Sequence, residues 1–435
     1  MKMKIAWFTP FQVQSAIGQF SKAICEYLAK DCDVDIYTPD SINLISTIQK
    51  VTRISDKEGV LHLNGKYDHI VYNFGDNYPY HGPILSFYNC FRGIVILHDF
   101  VMHHFYTGHY LSNRMKPTEY VDFLRYWYGE KGASFGKLAL RKSLGTMWNS
   151  QEITDYPLFE PLTLKATGIV CHSAFFRQKI ESVALAPVQN IALPNFFNHP
   201  TQSANSPANK QQINILTIGN LNPNKQIDLC IQVLANLPKY VRKRYMYKVV
   251  GDTQDVRYKQ YLVNLIKKHG MNNNIQLIGY QDKNNLSKLL QSADICINLR
   301  YPITEGASAS LIEEMSMGKP VIVNDIGCYS ELPDDVVWKI PLENQDKELS
   351  RAIMDLISHE ELRIRLGNSA KKSVEMHNTV EKYCTDFLSF IKSLITSKTG
   401  LTHIDTVAEC LKDIGASRLT KVTSTVAEEI AKYYE

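Results

Sequence analysis

The feature that most constrains this chain is an alternation of short β-branched runs with amphipathic stretches that breaks off once and then restarts. Lys4 to Thr9 reads as a buried strand, about Gly18 to Lys30 as a helix, and Asp33 to Thr38 as a second, alternating strand. His69 to Phe74, Gly93 to Leu97 and Gly168 to Cys171 continue the series. Strands separated by helices are joined by crossovers and run parallel, so this half predicts a doubly wound sheet. Residues 197–212 are polar, rich in Pro, Ser and Asn, and without period, which marks a linker. Beyond them the alternation restarts at Ile213 to Ile218 and runs through Pro320 to Asn324. A chain of 435 residues is also too long for one ordinary core. The expected fold is α/β, with two Rossmann-like doubly wound domains over 1–196 and 213–378 facing a deep cleft. A helix over 379–397 and a helical tail over 398–435 follow.

Composition narrows the function. Lys plus Arg number 48 and Asp plus Glu 44, and the resulting net charge of +4 is spread along the chain, unlike the dense basic footprint of a nucleic-acid binder. No nucleic acid is expected. Pro10 and Gln12 interrupt the apolar start too early for a signal peptide, and no run approaches a membrane span, so the expected location is cytoplasmic. The 9 cysteines lie singly without a CxxC pair, which reads as reduced thiols and no structural zinc. Residues 136–144 mix Lys137, Arg141 and Lys142 with leucines; a solvated helix face is one reading and a peripheral contact with the inner face of a membrane the other.

Parallel sheets present ligands at the carboxyl ends of their strands, and two strands here end in His98-Asp99 and His172-Ser173. The densest constellation lies in the second half. Leu299-Arg300-Tyr301-Pro302-Ile303-Thr304-Glu305-Gly306-Ala307-Ser308 is a strand end and a small-residue loop, and a helix begins after it. Free amides and the positive end of a helix dipole meet there, which suits a phosphate or an anionic leaving group. Glu305 at the loop and Glu313 on the helix can hold hydroxyls, one on a sugar and one on a ribose. The competing reading makes Glu305 a helix cap and Glu313 with Glu314 a solvated face.

Glu305, Glu313 after seven intervening residues, Met315, and Gly318-Lys319-Pro320-Val321-Ile322 match a known signature in order and spacing. The stretch resembles the retaining glycosyltransferases of family 4, which have the GT-B architecture of two facing Rossmann-like domains. The likeness runs along roughly residues 4–392 and is more specific in the second half. It implies that Glu305 contacts the donor sugar, that Glu313 holds the ribose, and that the amides of Gly306, Ala307 and Ser308 face sugar and diphosphate. In Gly219-Asn220-Leu221-Asn222-Pro223-Asn224-Lys225 it assigns Lys225 to the diphosphate, while Asn220 stands where the family usually has Arg. Arg300 offers the second positive charge, or else a surface ion pair. Ser15-Ala16-Ile17-Gly18 resembles the family's small-residue loop, with Gly18 at the donor and Ala16 where Gly is common. His98 matches the histidine that hydrogen-bonds the donor sugar near the reacting carbon.

The implied activity is transfer of a hexose from a nucleotide diphosphate sugar to a hydroxyl with retention of configuration, in surface glycan or lipopolysaccharide assembly. His98, Glu305 and Lys225 are the catalytic candidates. A GT-B epimerase or phosphorylase and a noncatalytic glycan-binding protein are the alternatives. The donor is expected to be UDP- or GDP-linked and the acceptor a glycan, lipid-linked or peptide hydroxyl. No cofactor or metal is expected, since Asp33-Val34-Asp35 falls within a strand and the adjacent His103 and His104 cannot converge on one ion. In the tail Ile404, Val407, Ala408, Leu411 and Ile414 form an apolar stripe, expected to fold back onto the first domain or to pair two subunits.

Overall fold

The computed structural model describes residues 2–54, 63, 65–112, 116–141, 150–197, 212–253 and 255–394. The expected linker lies largely outside these residues, and the tail wholly outside them. Two parallel sheets are present, one in each half, giving two Rossmann-like domains in the GT-B arrangement. The first has seven strands in the order β3-β2-β1-β4-β5-β6-β7, from β1 (Met3–Phe8), β2 (Cys32–Thr38), β3 (Lys50–Arg53), β4 (His69–Phe74), β5 (Gly93–Leu97), β6 (Ala166–Cys171) and β7 (Val188–Asn190). The second has six in the order β10-β9-β8-β11-β12-β13, from β8 (Ile213–Ile218), β9 (Tyr245–Val250), β10 (Ile275–Gly279), β11 (Ile295–Ile297), β12 (Val321–Asn324) and β13 (Trp338–Ile340). In both sheets the order reverses beside the first strand, between β1 and β4 and between β8 and β11. Such a reversal opens a crevice at the strand ends because the helices leave in opposite directions.

The strands read as apolar runs because helices cover both faces of each sheet; β5, Gly-Ile-Val-Ile-Leu, is buried at every residue. On one face of the first sheet Ile5 and Trp7 meet Phe20 and Ile24 of the helix Ala16–Leu28. The same apolar cluster continues through Ile191 and Leu193 into Leu216, Leu311 and Val321 of the second domain. The helix at residues 380–394 crosses back to the first domain, with Phe387 edge-on to Trp7 at 5.7 Å and Tyr383 edge-on to Phe20 at 5.3 Å.

β3, β7 and β13 and the helices Tyr78–Cys90, Pro117–Arg141 and Gln345–Ser358 are additions to the sequence reading. The short edge strands carry too few residues to show a period. Pro117–Arg141 is broken at Gly129, whose φ of 65° interrupts the helical spacing. Lys137, Leu138 and Arg141 are exposed on its last turns. Among the described residues no helix is long and apolar enough to cross a membrane.

Candidate active site

The second domain places its polar residues at the β8/β11 reversal. After β8 the chain turns at Gly219, whose φ is +110° and whose missing Cβ leaves room for Lys225 Nζ. Lys225 closes the short turn Pro223–Lys225 and reaches back so that Nζ donates to the Ile218 carbonyl at 2.8 Å. Burial, and then the nearby Arg300 cation, push its pKa down to about 7.

Arg300 leaves the end of β11 and is buried. Its backbone N–H donates to Asn324 Oδ1 at 2.8 Å, Nη1 to the Leu299 carbonyl at 2.8 Å and Nη2 to Ser310 Oγ at 3.4 Å. Its Nε lies 2.9 Å from Glu305 Oε1. The Tyr329 hydroxyl donates to the same oxygen at 2.5 Å, so the Glu305 carboxylate is gripped from two sides. The side chains of Arg300 and Glu305 are 4% and 24% exposed, which leaves the carboxylate as the accessible end of the pair. Ser308 caps the helix Ala309–Ser316 through Oγ, which accepts from Leu311 N at 3.4 Å. Glu313 is buried on that helix, and Glu314 more deeply still.

Sequence reasoning missed Tyr329, and it misread Glu314. Its Oε2 accepts from Asn298 Nδ2 at 2.8 Å, and burial raises its pKa to about 8. The competing sequence reading put both glutamates on a solvated face, whereas both lie inside. The partner that makes burial tolerable, Asn298, sits sixteen positions earlier, so no local pattern announces it.

The first domain contributes His98, next after β5. Asn73 Nδ2 donates to the Phe8 carbonyl at 3.1 Å, which turns Asn73 Oδ1 toward His98 Nε2 at 3.0 Å. His98 Nε2 therefore carries the hydrogen and Nδ1 keeps an acceptor lone pair. Burial holds the imidazole well below its ordinary pKa, reinforced by His172 with ring centroids 5.1 Å apart, so it is neutral. Asp99 Oδ2 accepts from Asp76 N at 2.7 Å, and burial raises the Asp99 carboxyl to about 6. Gly18 falls in the first turn of the helix Ala16–Leu28, not before it. Its N–H donates to the capping Ser15 Oγ at 3.0 Å, and a Cβ there would lie 2.9 Å from the Pro10 carbonyl. Loop packing accounts for this glycine, and its amide is engaged.

The two halves of the site touch. Gly306 N donates to the His98 carbonyl at 2.9 Å, and Phe100 N and Val101 N donate to the Thr304 carbonyl at 2.9 and 3.1 Å. Asp99 and Glu305 pair as an antiparallel bridge. A Cβ at Gly306 would lie 2.8 Å from the His98 carbonyl, so glycine is what permits this approach. Glu305 and Gly306 thereby meet His98 at the interdomain seam, with Arg300 paired to Glu305, Lys225 near Arg300, and Ala307, Ser308 and Glu313 following on the same loop and helix. Among the described residues no three His, Cys, Asp or Glu side chains converge as a metal site.

A polar cluster at the switch point of a GT-B fold invites comparison with known proteins. Residues 198–373 match the family model Glycosyl transferases group 1. An uncharacterized glycosyltransferase of Methanocaldococcus jannaschii is 26% identical over 280 residues, 64% of this chain and 65% of that protein. The lipopolysaccharide glucosyltransferase WaaG of Escherichia coli is 27% identical over 121 residues, 28% of this chain and 30% of its own length. The chain thus spans less than two thirds of each of these two relatives. A crystal structure of WaaG superposes with a TM-score of 0.59 at 16% identity, covering 87% of this chain and 98% of the other. Anabaena HepE in complex with UDP-glucose gives 0.61 at 15%, covering 90% and 100%. At these identities the likeness is one of fold.

Proposed function

We propose that the protein is a retaining glycosyltransferase that moves a hexose from a nucleotide diphosphate sugar to a hydroxyl acceptor. The observation that carries this reading is the Arg300–Glu305–Tyr329 grip beside Lys225, within a stretch that matches the glycosyl transferases group 1 model and on a loop bonded through Gly306 to the carbonyl of a neutral His98 in the other domain. UDP-glucose bound to HepE and the glucosyltransferase name of WaaG favour a UDP-linked hexose.

On this reading the diphosphate lies against Lys225 and the start of the helix Ala309–Ser316, where positive potential meets the charge that builds as the anomeric bond breaks. Arg300 is committed to Glu305, so it fixes that carboxylate against the sugar hydroxyls; Lys225 is left as the cation for phosphate. Glu313 holds the ribose. His98 Nδ1 accepts from a sugar hydroxyl and keeps the reacting carbon toward the first domain. The acceptor oxygen bonds to the anomeric carbon, the phosphate oxygen departs with the bonding electrons, and the acceptor proton passes to that oxygen. No divalent ion is required where Lys225 and the helix amides meet the charge.

The test is release of nucleotide diphosphate from UDP-sugars with and without acceptor, which separates transfer from epimerisation. Glu305→Gln should lower kcat about a hundredfold, Glu313→Gln should mainly weaken nucleotide binding, and EDTA should change neither. Wild-type kinetics in both variants would sink the assignment.

A further inference from the structure

Ser330-Glu331-Leu332-Pro333, next after Tyr329, takes no part in the proposed reaction. We infer that Glu331 is a clasp that closes the second domain onto the first and, through Tyr329, keeps Glu305 in position. The link to Glu305 rests on the proposed function; the clasp itself does not.

Glu331 belongs to the second domain, yet its carboxylate lies on the first. Oε2 accepts from Ala174 N at 3.0 Å and Oε1 from Phe175 N at 2.6 Å. These are the first two amides of the helix Ala174–Glu181. That helix is capped by Ser173, whose Oγ accepts from Phe176 N at 3.4 Å, and its first turn contains no acidic residue of its own. The two amides left over by the cap, and the positive end of the helix, are met by a carboxylate from the other domain. Glu331 is exposed, so water competes for the same bonds and the clasp is reversible.

The segment that holds Glu331 also holds the site. Tyr329, two residues earlier, is buried and donates to Glu305 at 2.5 Å. Gly327 lies against Ile303, where a Cβ would come within 3.0 Å of that side chain. Residues 327–331 therefore brace the loop Ile303 to Gly306 from behind while Glu331 grips the first domain. From the front, the same loop is bonded to the first domain at Gly306, Phe100 and Val101. Pulling Glu331 off the helix removes one set of the hydrogen bonds that join the domains among the described residues; the set at Phe100, Val101 and Gly306, which frames Glu305, and the bonds of Asn378 to Leu193 and Asn195 remain.

Hydrogen–deuterium exchange on the full-length Glu331→Ala protein tests the clasp. The amides of Phe100, Val101 and Gly306 should exchange about tenfold faster together, while those of β5 and β8 keep wild-type rates. Glu331→Gln, which keeps the shape and one acceptor oxygen, should fall between. In the turnover arm, Glu331→Ala should raise KM for the nucleotide sugar about tenfold and leave the Kd of free UDP unchanged, because the proposed nucleotide contacts lie on the second domain alone. Tyr329→Phe should lower kcat while the three amides exchange as in wild type. Faster exchange confined to residues 174–177 would make Glu331 a local helix cap and overturn the clasp. Opening of the three amides with a wild-type kcat in Tyr329→Phe would overturn the link to Glu305. A wild-type protein that turns over no nucleotide sugar would instead sink the proposed function, and the exchange result would still decide the clasp.

Discussion

Four ionisable side chains, Lys225, Arg300, Glu305 and Glu314, lie around the end of β11, and burial, ahead of the neighbouring charges, moves Lys225 and Glu314 from their ordinary values. Glu314 is the clearest case. Its carboxyl is raised from 4.5 to about 8, chiefly by burial, so near neutral pH the folded chain keeps the proton while the unfolded chain loses it. The proton bound only by the folded state makes its contribution to stability largest at acid pH, and that contribution is lost as pH rises from about 4.5 to about 8. Glu314→Gln should flatten this part of the profile of melting temperature against pH; an unchanged slope would show that Glu314 does not titrate there. Lys225 has the opposite sense, its ammonium being favoured only below about 7. On the proposed reading UDP affinity should weaken about tenfold between pH 6 and 8, measured by calorimetry, and Lys225→Met should remove that dependence along with most of the affinity.

At the level of elements, the site depends on strands ending close together. Gly251, after β9, has φ of +142°, and a Cβ there would lie 2.0 Å from the Gly219 carbonyl, an approach that only glycine permits. Gly251→Ala should destabilise the protein by about 3 kcal/mol or more, since both backbone strain and overlap oppose it. Gly270 has φ of +66° with nothing within 4 Å of the added atom, so Gly270→Ala should cost only about 1 kcal/mol. Urea titrations of the two variants, read side by side, separate crowding at the strand ends from conformational preference alone. Equal losses would show that the β8 and β9 turns are not held as closely as described.

For the whole molecule, the first domain is completed by residues that come last in the described chain. Phe387 and Tyr383, on the helix at residues 380–394, are buried against Trp7 and Phe20, so the first strand and the last described helix share one core. Phe387→Ala should destabilise the first domain by about 3–5 kcal/mol. Tryptophan emission, with Trp7 lying 5.7 Å from Phe387, should then shift at lower denaturant than in the wild type. A variant that unfolds at the wild-type midpoint would mean that the helix adds nothing to this core.

Periods of 2 and 3.6 residues are local properties, and for that reason the two doubly wound halves and the approximate places of most strands were legible in the sequence. β4, β5 and β8 fall where the pattern placed them. The spacing of Glu305 and Glu313 singled out the loop for the same reason, because one helix carries both its start and its second carboxylate. What sequence could not carry is which polar groups meet across the fold. Arg300 is found paired with Glu305, which Tyr329 also holds; Glu314 looks solvated until Asn298 is laid beside it; Gly18 is found packed against Pro10. Each of these outcomes depends on contacts made within one folded domain by residues that are not neighbours in sequence, where burial decides whether a charge is paired, neutralised or left for a substrate.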